Sequence, residues 1–127
     1  MDHPEYSSIT IERIRAPKFA GKLTSYEFMG ESFNPVCGDT LVFYAKCRDQ
    51  KIEAISFLAD GCSATLAAAE TMAGILDQRS LLGLTLPEKE EVIEALGGLP
   101  ESRHHTIELA IDAAENLLRN IQSRLRQ

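Results

Sequence analysis

The sequence predicts an α+β fold, a three-stranded antiparallel sheet with helices packed on one face. Three observations lead there. Short stretches in the first half alternate apolar and polar residues and are separated by turn pairs. The second half switches to helical periodicity. Strands come first and helices afterwards, rather than in alternation, which gathers the helices on one side of one sheet. The 127 residues are read as one domain spanning 1–127, long enough to bury a core without staples.

The elements follow in order. Ser8–Arg15 reads as a short amphipathic helix with Ile9, Ile11 and Ile14 apolar, ended by Pro17 and Gly21. Tyr26–Phe33 alternates as a strand, and Asn34–Asp39 is a turn because Asn-Pro and Gly-Asp are breaker pairs. Thr40–Cys47 is the second strand, with Leu41, Phe43 and Ala45 on one face, and Arg48-Asp49-Gln50 is a polar hairpin loop. Ile52–Leu58 is the third strand, with Ile52, Ala54 and Ser56 expected opposite Ile55 and Phe57. Ser63–Asp77 is an Ala-rich helix, and Ser80–Leu82 starts a turn or short helix. Pro87 suits the first turn of a helix over Glu88–Leu96 that Gly97-Gly98 stops. The last helix runs from about Ser102 to Leu125. Ile107, Ala110, Ile111, Ala114, Leu117, Leu118, Ile121 and Leu125 line one face of it.

Composition narrows the function classes. With 44% hydrophobic and 25% charged residues the chain is an ordinary globular one rather than a disordered one. A net charge of −6 argues against a nucleic-acid partner. No apolar run reaches membrane-spanning length, and MDHPEYSS lacks the apolar core of a signal peptide, so a cytoplasmic protein with no membrane partner is expected. In that compartment three cysteines do not suggest a disulfide framework.

Two of these cysteines occupy turns suited to chemistry. Cys37-Gly38-Asp39 lies between two strands, where Gly38 lets the flanking side chains converge. It is either a β-turn with an incidental thiol or a thiolate and carboxylate that reach one cation. Gly61-Cys62-Ser63 joins the third strand to a helix. A thiol there sees the positive end of the helix dipole, which favours thiolate, unless it is simply buried at the joint. His104-His105 stands near the start of the last helix. Adjacent helical side chains point about 100° apart, so one of the pair at most faces a given site. Cys47, between Lys46 and Arg48, reads as an incidental strand residue. Thiolate with imidazole suits zinc or iron–sulfur chemistry rather than magnesium or calcium.

These motifs resemble a known family, the IscU/NifU/SufU iron–sulfur cluster assembly scaffolds. Asn34-Pro35-Val36-Cys37-Gly38-Asp39 resembles the first ligand motif, and Ile55-Ser56-Phe57 with Gly61-Cys62 and an Ala-rich helix resembles the second. Leu99-Pro100, His105 and Leu109-Ala110-Ile111-Asp112-Ala113 are similar to the third region, and Arg15–Gly21 to the family's N-terminal turn. The likeness covers roughly residues 8–121. It implies a SufE/NifU-like fold and a non-enzymatic scaffold on which [2Fe–2S] or [4Fe–4S] clusters are built. Sulfur would come from a cysteine desulfurase, and clusters would pass to acceptor apo-proteins. Cys37, Asp39, Cys62 and His105 would then converge at one end of the sheet as ligands of a transient iron–sulfur cluster or of zinc.

The sequence also departs from the family pattern. Without a gap, Thr106 stands where the family has its third cysteine, the residue expected to take sulfur from the desulfurase; shifting by one would put His105 there and His104 on the family histidine. The chaperone-recognition motif of the IscU branch is replaced by Leu99-Pro100-Glu101-Ser102-Arg103. Arg103 instead resembles the arginine three residues before the third cysteine in the SufU branch, whose long insertion is absent, since 42 residues lie between Cys62 and His105. Three functions follow: a cluster scaffold or carrier, a zinc-binding sulfur acceptor or desulfurase regulator, and a degenerate metal-free interaction protein.

Overall fold

The computed structural model describes residues 5–125, Leu125 by its backbone alone. Helix α1 (Ser8–Arg15) precedes strands β1 (Phe28–Phe33), β2 (Thr40–Arg48) and β3 (Lys51–Asp60). Helices α2 (Ser63–Leu76), α3 (Lys89–Ala95) and α4 (His105–Leu125) follow, with a 3₁₀ turn at Glu101–Arg103 before α4. The sheet is an antiparallel meander ordered β1-β2-β3. Its register pairs Phe33 with Thr40 and Thr40 with Asp60, so the β1–β2 turn and the β3–α2 joint emerge at the same end.

One side of the sheet carries Leu41, Phe43 and Ala45 of β2 and Ile52, Ile55 and Phe57 of β3, all buried with the inner faces of α2 and α4. Burying each large side chain there contributes about 1.5–3 kcal/mol. The inward position of Ile52 corrects the expectation that it would lie opposite Ile55 and Phe57. The register shifts at Lys46/Cys47, so that Lys46 faces Ala54 while Cys47 faces Ile52, and Glu53 is the extra residue of a β-bulge. A bulge reverses the alternation and brings Ile52 to the core face.

Helix α4 runs antiparallel to β1 and seals its edge. The carbonyls of Glu31, Met29 and Glu27 accept from Asn116 Nδ2 (2.7 Å), Asn120 Nδ2 (2.6 Å) and Arg124 Nη2 (2.9 Å). These donors are spaced by four along the helix and meet alternate carbonyls of an otherwise open edge. The approach requires Gly30, where a Cβ would lie 2.5 Å from Leu117 Cα. The same packing places His105, the first residue of α4, near the Phe33 end of β1.

Other expectations shift for local reasons. β1 begins at Phe28 rather than Tyr26 because Ser25 takes φ +59° and the Tyr26 ring stacks on Tyr44, 4.8 Å between centroids. Of the turn or short helix expected from Ser80 the turn is what forms, at Leu82–Gly83, while Ser80 bridges Lys51. The last helix is not continuous from Ser102, since the 3₁₀ turn intervenes. Glu88 caps α3 through a capping box with Glu91, so Pro87 precedes the cap. Among the described residues no helix is long and apolar enough to cross a membrane.

Candidate metal centre

Three of the four expected ligands meet. Asp39, Cys62 and His105 each offer one donor atom, and these atoms all lie within 4.8 Å of one another. They arrive from three elements: the β1–β2 turn, the N-terminus of α2 and the N-terminus of α4. A cation held at about 2.0–2.3 Å from each nitrogen, oxygen and sulfur donor needs separations only slightly smaller. Carboxylate, thiolate and imidazole together fit iron or zinc.

Asp39 is buried and closely held. Its Oδ2 accepts from Thr65 Oγ1 at 2.9 Å and lies 3.9 Å from His105 Nε2. Its carboxyl group also rests on Gly61, where a Cβ would come within 2.5 Å of Asp39 Cγ. Cys62 is the N-cap of α2, extended at φ −76° and ψ 168°, and its side chain makes no capping bond to the backbone. Its Sγ lies 3.5 Å from Thr65 Oγ1, and its carbonyl accepts from Thr65 N at 3.0 Å.

Cys37 stands outside this group, exposed to solvent on the turn. Asn34 shapes that turn: its Oδ1 accepts from Val36 N (2.9 Å) and Cys37 N (3.4 Å), and its carbonyl accepts from Gly38 N (2.7 Å). Gly38 adopts φ +78°, and the chain re-enters β2 with Asp39 inward and Cys37 outward. Val36, 91% exposed, stands beside it.

The two histidines separate as helical geometry requires. His105 faces Asp39, whereas the His104 ring Nε2 pairs with Leu99 O at 2.9 Å. Thr106 is fully buried and its hydroxyl donates to Arg103 O at 2.7 Å, as a residue of the first helical turn. Arg103 donates from Nε to Tyr6 Oη at 3.2 Å. That bond first, then the charges of Tyr6 and Cys62, push the guanidinium above its ordinary value. Cys47 lies apart on β2, packed against the core; burial first, then the Glu27 charge, raises its thiol to about 11.

Sequence reasoning missed Thr65, which had a signal, since it stands three residues after the helix-capping Cys62, the spacing that returns a side chain to the cap. Gly61 was part of the expected Gly61-Cys62 motif, but the room it leaves for the Asp39 carboxyl is set by a residue 22 positions earlier and has no local signal.

Comparison with known proteins agrees with this architecture. The family model described as the NifU-like N terminal domain matches residues 5–127. The iron–sulfur cluster assembly scaffold protein IscU 1 of Archaeoglobus fulgidus is 33% identical over 108 residues, covering 85% of this chain and 71% of that protein. The bifunctional protein NifU/MnmA of Rubrobacter xylanophilus is 31% identical over 121 residues, 94% of this chain and 25% of that protein. In fold, the crystal structure of the N-terminal part of a nitrogen-fixing NifU-like protein from Brucella abortus superimposes with a TM-score of 0.73 at 18% identity, over 94% of this chain and 95% of that one.

Proposed function

The chain belongs to the NifU-like N-terminal domain family, and from that premise we propose that it works as an iron–sulfur cluster assembly scaffold, binding iron and sulfide at the sheet end and releasing the cluster to acceptor proteins. The observation that carries the reading is the convergence of Asp39, Cys62 and His105 from three separate elements within 4.8 Å. Asp39, Cys62 and His105 form the preset part of the ligand shell, and Cys37 swings in from its turn as the second thiolate. The ungapped alignment is the better one, because His105 faces Asp39 while His104 is engaged with Leu99.

The cluster is cargo, and the protein's own chemistry is binding and release rather than turnover. Two thiolates, one carboxylate and one imidazole hold iron less firmly than three thiolates do, since a hard oxygen replaces a soft sulfur. That weakness suits a carrier. Sulfur reaches the site from a cysteine desulfurase, and the exposed Cys37 is the thiol such a partner meets first. The acidic surface and the absence of a spanning helix among the described residues accord with a cytoplasmic setting without nucleic-acid or membrane partners. One observation favours zinc as the second reading: of the three cysteines Cys47 lies apart against the core, so the shell has at most two thiolates and matches a tetrahedral zinc set.

Purification without oxygen, metal analysis and a visible spectrum separate the two. Reconstitution with iron and sulfide should give thiolate-to-iron charge-transfer bands that disappear as an apo-ferredoxin acceptor gains its own. Cys62→Ala should abolish them. Stoichiometric zinc that iron and sulfide cannot replace, with no transfer, would establish the zinc reading instead.

A further inference from the structure

We propose that Thr65 is the positioning residue of this site: its single hydroxyl ties Asp39 to Cys62 and so sets the spacing of the ligand shell before any cation arrives. The inference rests on the reading of Asp39 and Cys62 as ligands. Thr65 is fully buried, in the first turn of α2. Its hydroxyl donates to Asp39 Oδ2 at 2.9 Å, and the same oxygen lies 3.5 Å from Cys62 Sγ. His105 Nε2 approaches the same Asp39 Oδ2 at 3.9 Å, beyond hydrogen-bond distance.

Thr65 and Cys62 belong to one helical turn, joined by the Thr65 N to Cys62 O bond of 3.0 Å, so their geometry relative to each other is fixed by the helix. Asp39 belongs to the β1–β2 turn, which is shaped by its own local bonds through Asn34. The Thr65 hydroxyl ties that carboxylate to the helix, and the bare backbone of Gly61, just before the helix, leaves it room. An outer hydrogen bond of this kind orients a ligand, and its loss commonly weakens metal binding 10–100-fold. Thr65 touches ligands only; it is not itself a ligand.

The test compares Thr65→Val, which keeps shape and removes the hydroxyl, with Thr65→Ser, which keeps the hydroxyl. The probe is Co²⁺ added to the full chain without oxygen. The readouts are the dissociation constant and the d–d and thiolate-to-cobalt bands. A parent that binds Co²⁺ with no thiolate band would overturn the ligand reading itself. With that band present in the parent, T65V should bind about 10–100-fold more weakly with shifted d–d bands, and T65S within about threefold of the parent. T65V binding as the parent does, with the parental spectrum, would overturn the proposal. So would T65S as weak as T65V, since a hydroxyl at this position would then not be enough to place Asp39. Circular dichroism checks the fold of each variant. Should T65V not fold, T65A replaces it in the same comparison with T65S and the same outcomes apply.

Discussion

Gly61→Ala offers a way to displace one candidate ligand, Asp39, without substituting it. A Cβ at Gly61 would lie 2.5 Å from Asp39 Cγ, 2.7 Å from Oδ1 and 2.9 Å from Oδ2. Unbonded carbons rest at about 3.5–4.0 Å, so the carboxyl group must retreat by roughly 1 Å. Gly61 is not among the residues with positive φ, so the alanine meets no backbone strain of its own. In a compatible conformation it even stabilises by about 0.4–1 kcal/mol through the unfolded chain. Against that stands the Thr65–Asp39 bond of 2.9 Å, a hydrogen bond to a charged group, worth about 1.5–3 kcal/mol. The net expectation is a loss of about 1 kcal/mol in urea unfolding, together with a 10–100-fold weaker affinity for Co²⁺.

The assay is a double-mutant cycle read by both measurements. If G61A acts by moving Asp39, then D39A/G61A should bind Co²⁺ no more weakly than D39A alone. G61A with parental affinity and unchanged or higher stability would refute the reasoning, because the carboxylate would then have room that the structure denies it. Full additivity in the cycle would refute it as well, since Gly61 would be acting through some other contact.

Other expectations can be checked in parallel. Gly30→Ala should destabilise the fold by about 2 kcal/mol or more, because its Cβ would press on the Leu117 backbone; a near-neutral change in urea unfolding would show that α4 can lift from β1. Iodoacetamide at pH 8.5 should modify exposed Cys37 well before Cys47, whose thiol is raised to about 11 by burial; peptide mapping that finds equal rates would contradict this. Because that raised thiol keeps its proton in the folded chain while the unfolded chain loses it, stability should fall as pH rises from about 9 to 11, and Cys47→Val should lessen the fall. Under anaerobic Co²⁺ titration His105→Ala should weaken binding and His104→Ala should not, since His104 pairs with Leu99 O; the reverse order would favour the shifted alignment.

The α+β class and the order of the elements were legible because each rests on local signals. The predicted bounds of α1 match the observed Ser8–Arg15, since its cap and stop lie in the adjacent residues. The inner row Leu41, Phe43 and Ala45 follows from simple alternation along an unbroken strand. Ile52 was misplaced because a bulge is a relation between two strands, and alternation read along one strand carries no record of it. The ladder of Asn116, Asn120 and Arg124 was equally hidden. Its spacing marks one helix face, but only the packing of α4 shows that β1 carbonyls lie beneath it.

The site divides along the same line. Cys62 was marked by its place at a strand–helix joint, whereas His105 was singled out from the His104-His105 pair by the resemblance to the family; both stand at helix N-termini. Cys37 and Asp39 share one motif, yet the structure turns them apart, because Gly38 lies between them at positive φ and the turn must reverse the chain within a few residues. A two-residue spacing on a strand would have put both on one face; on this turn it sends Asp39 inward and leaves Cys37 in solvent. The three candidate ligands that meet are thus held by the packing of the sheet and two helices, while Cys37 stands on a turn closed by Asn34. Cys37 can therefore move on its turn without disturbing the core, and a site that opens on one side suits the proposed building and release of a cluster.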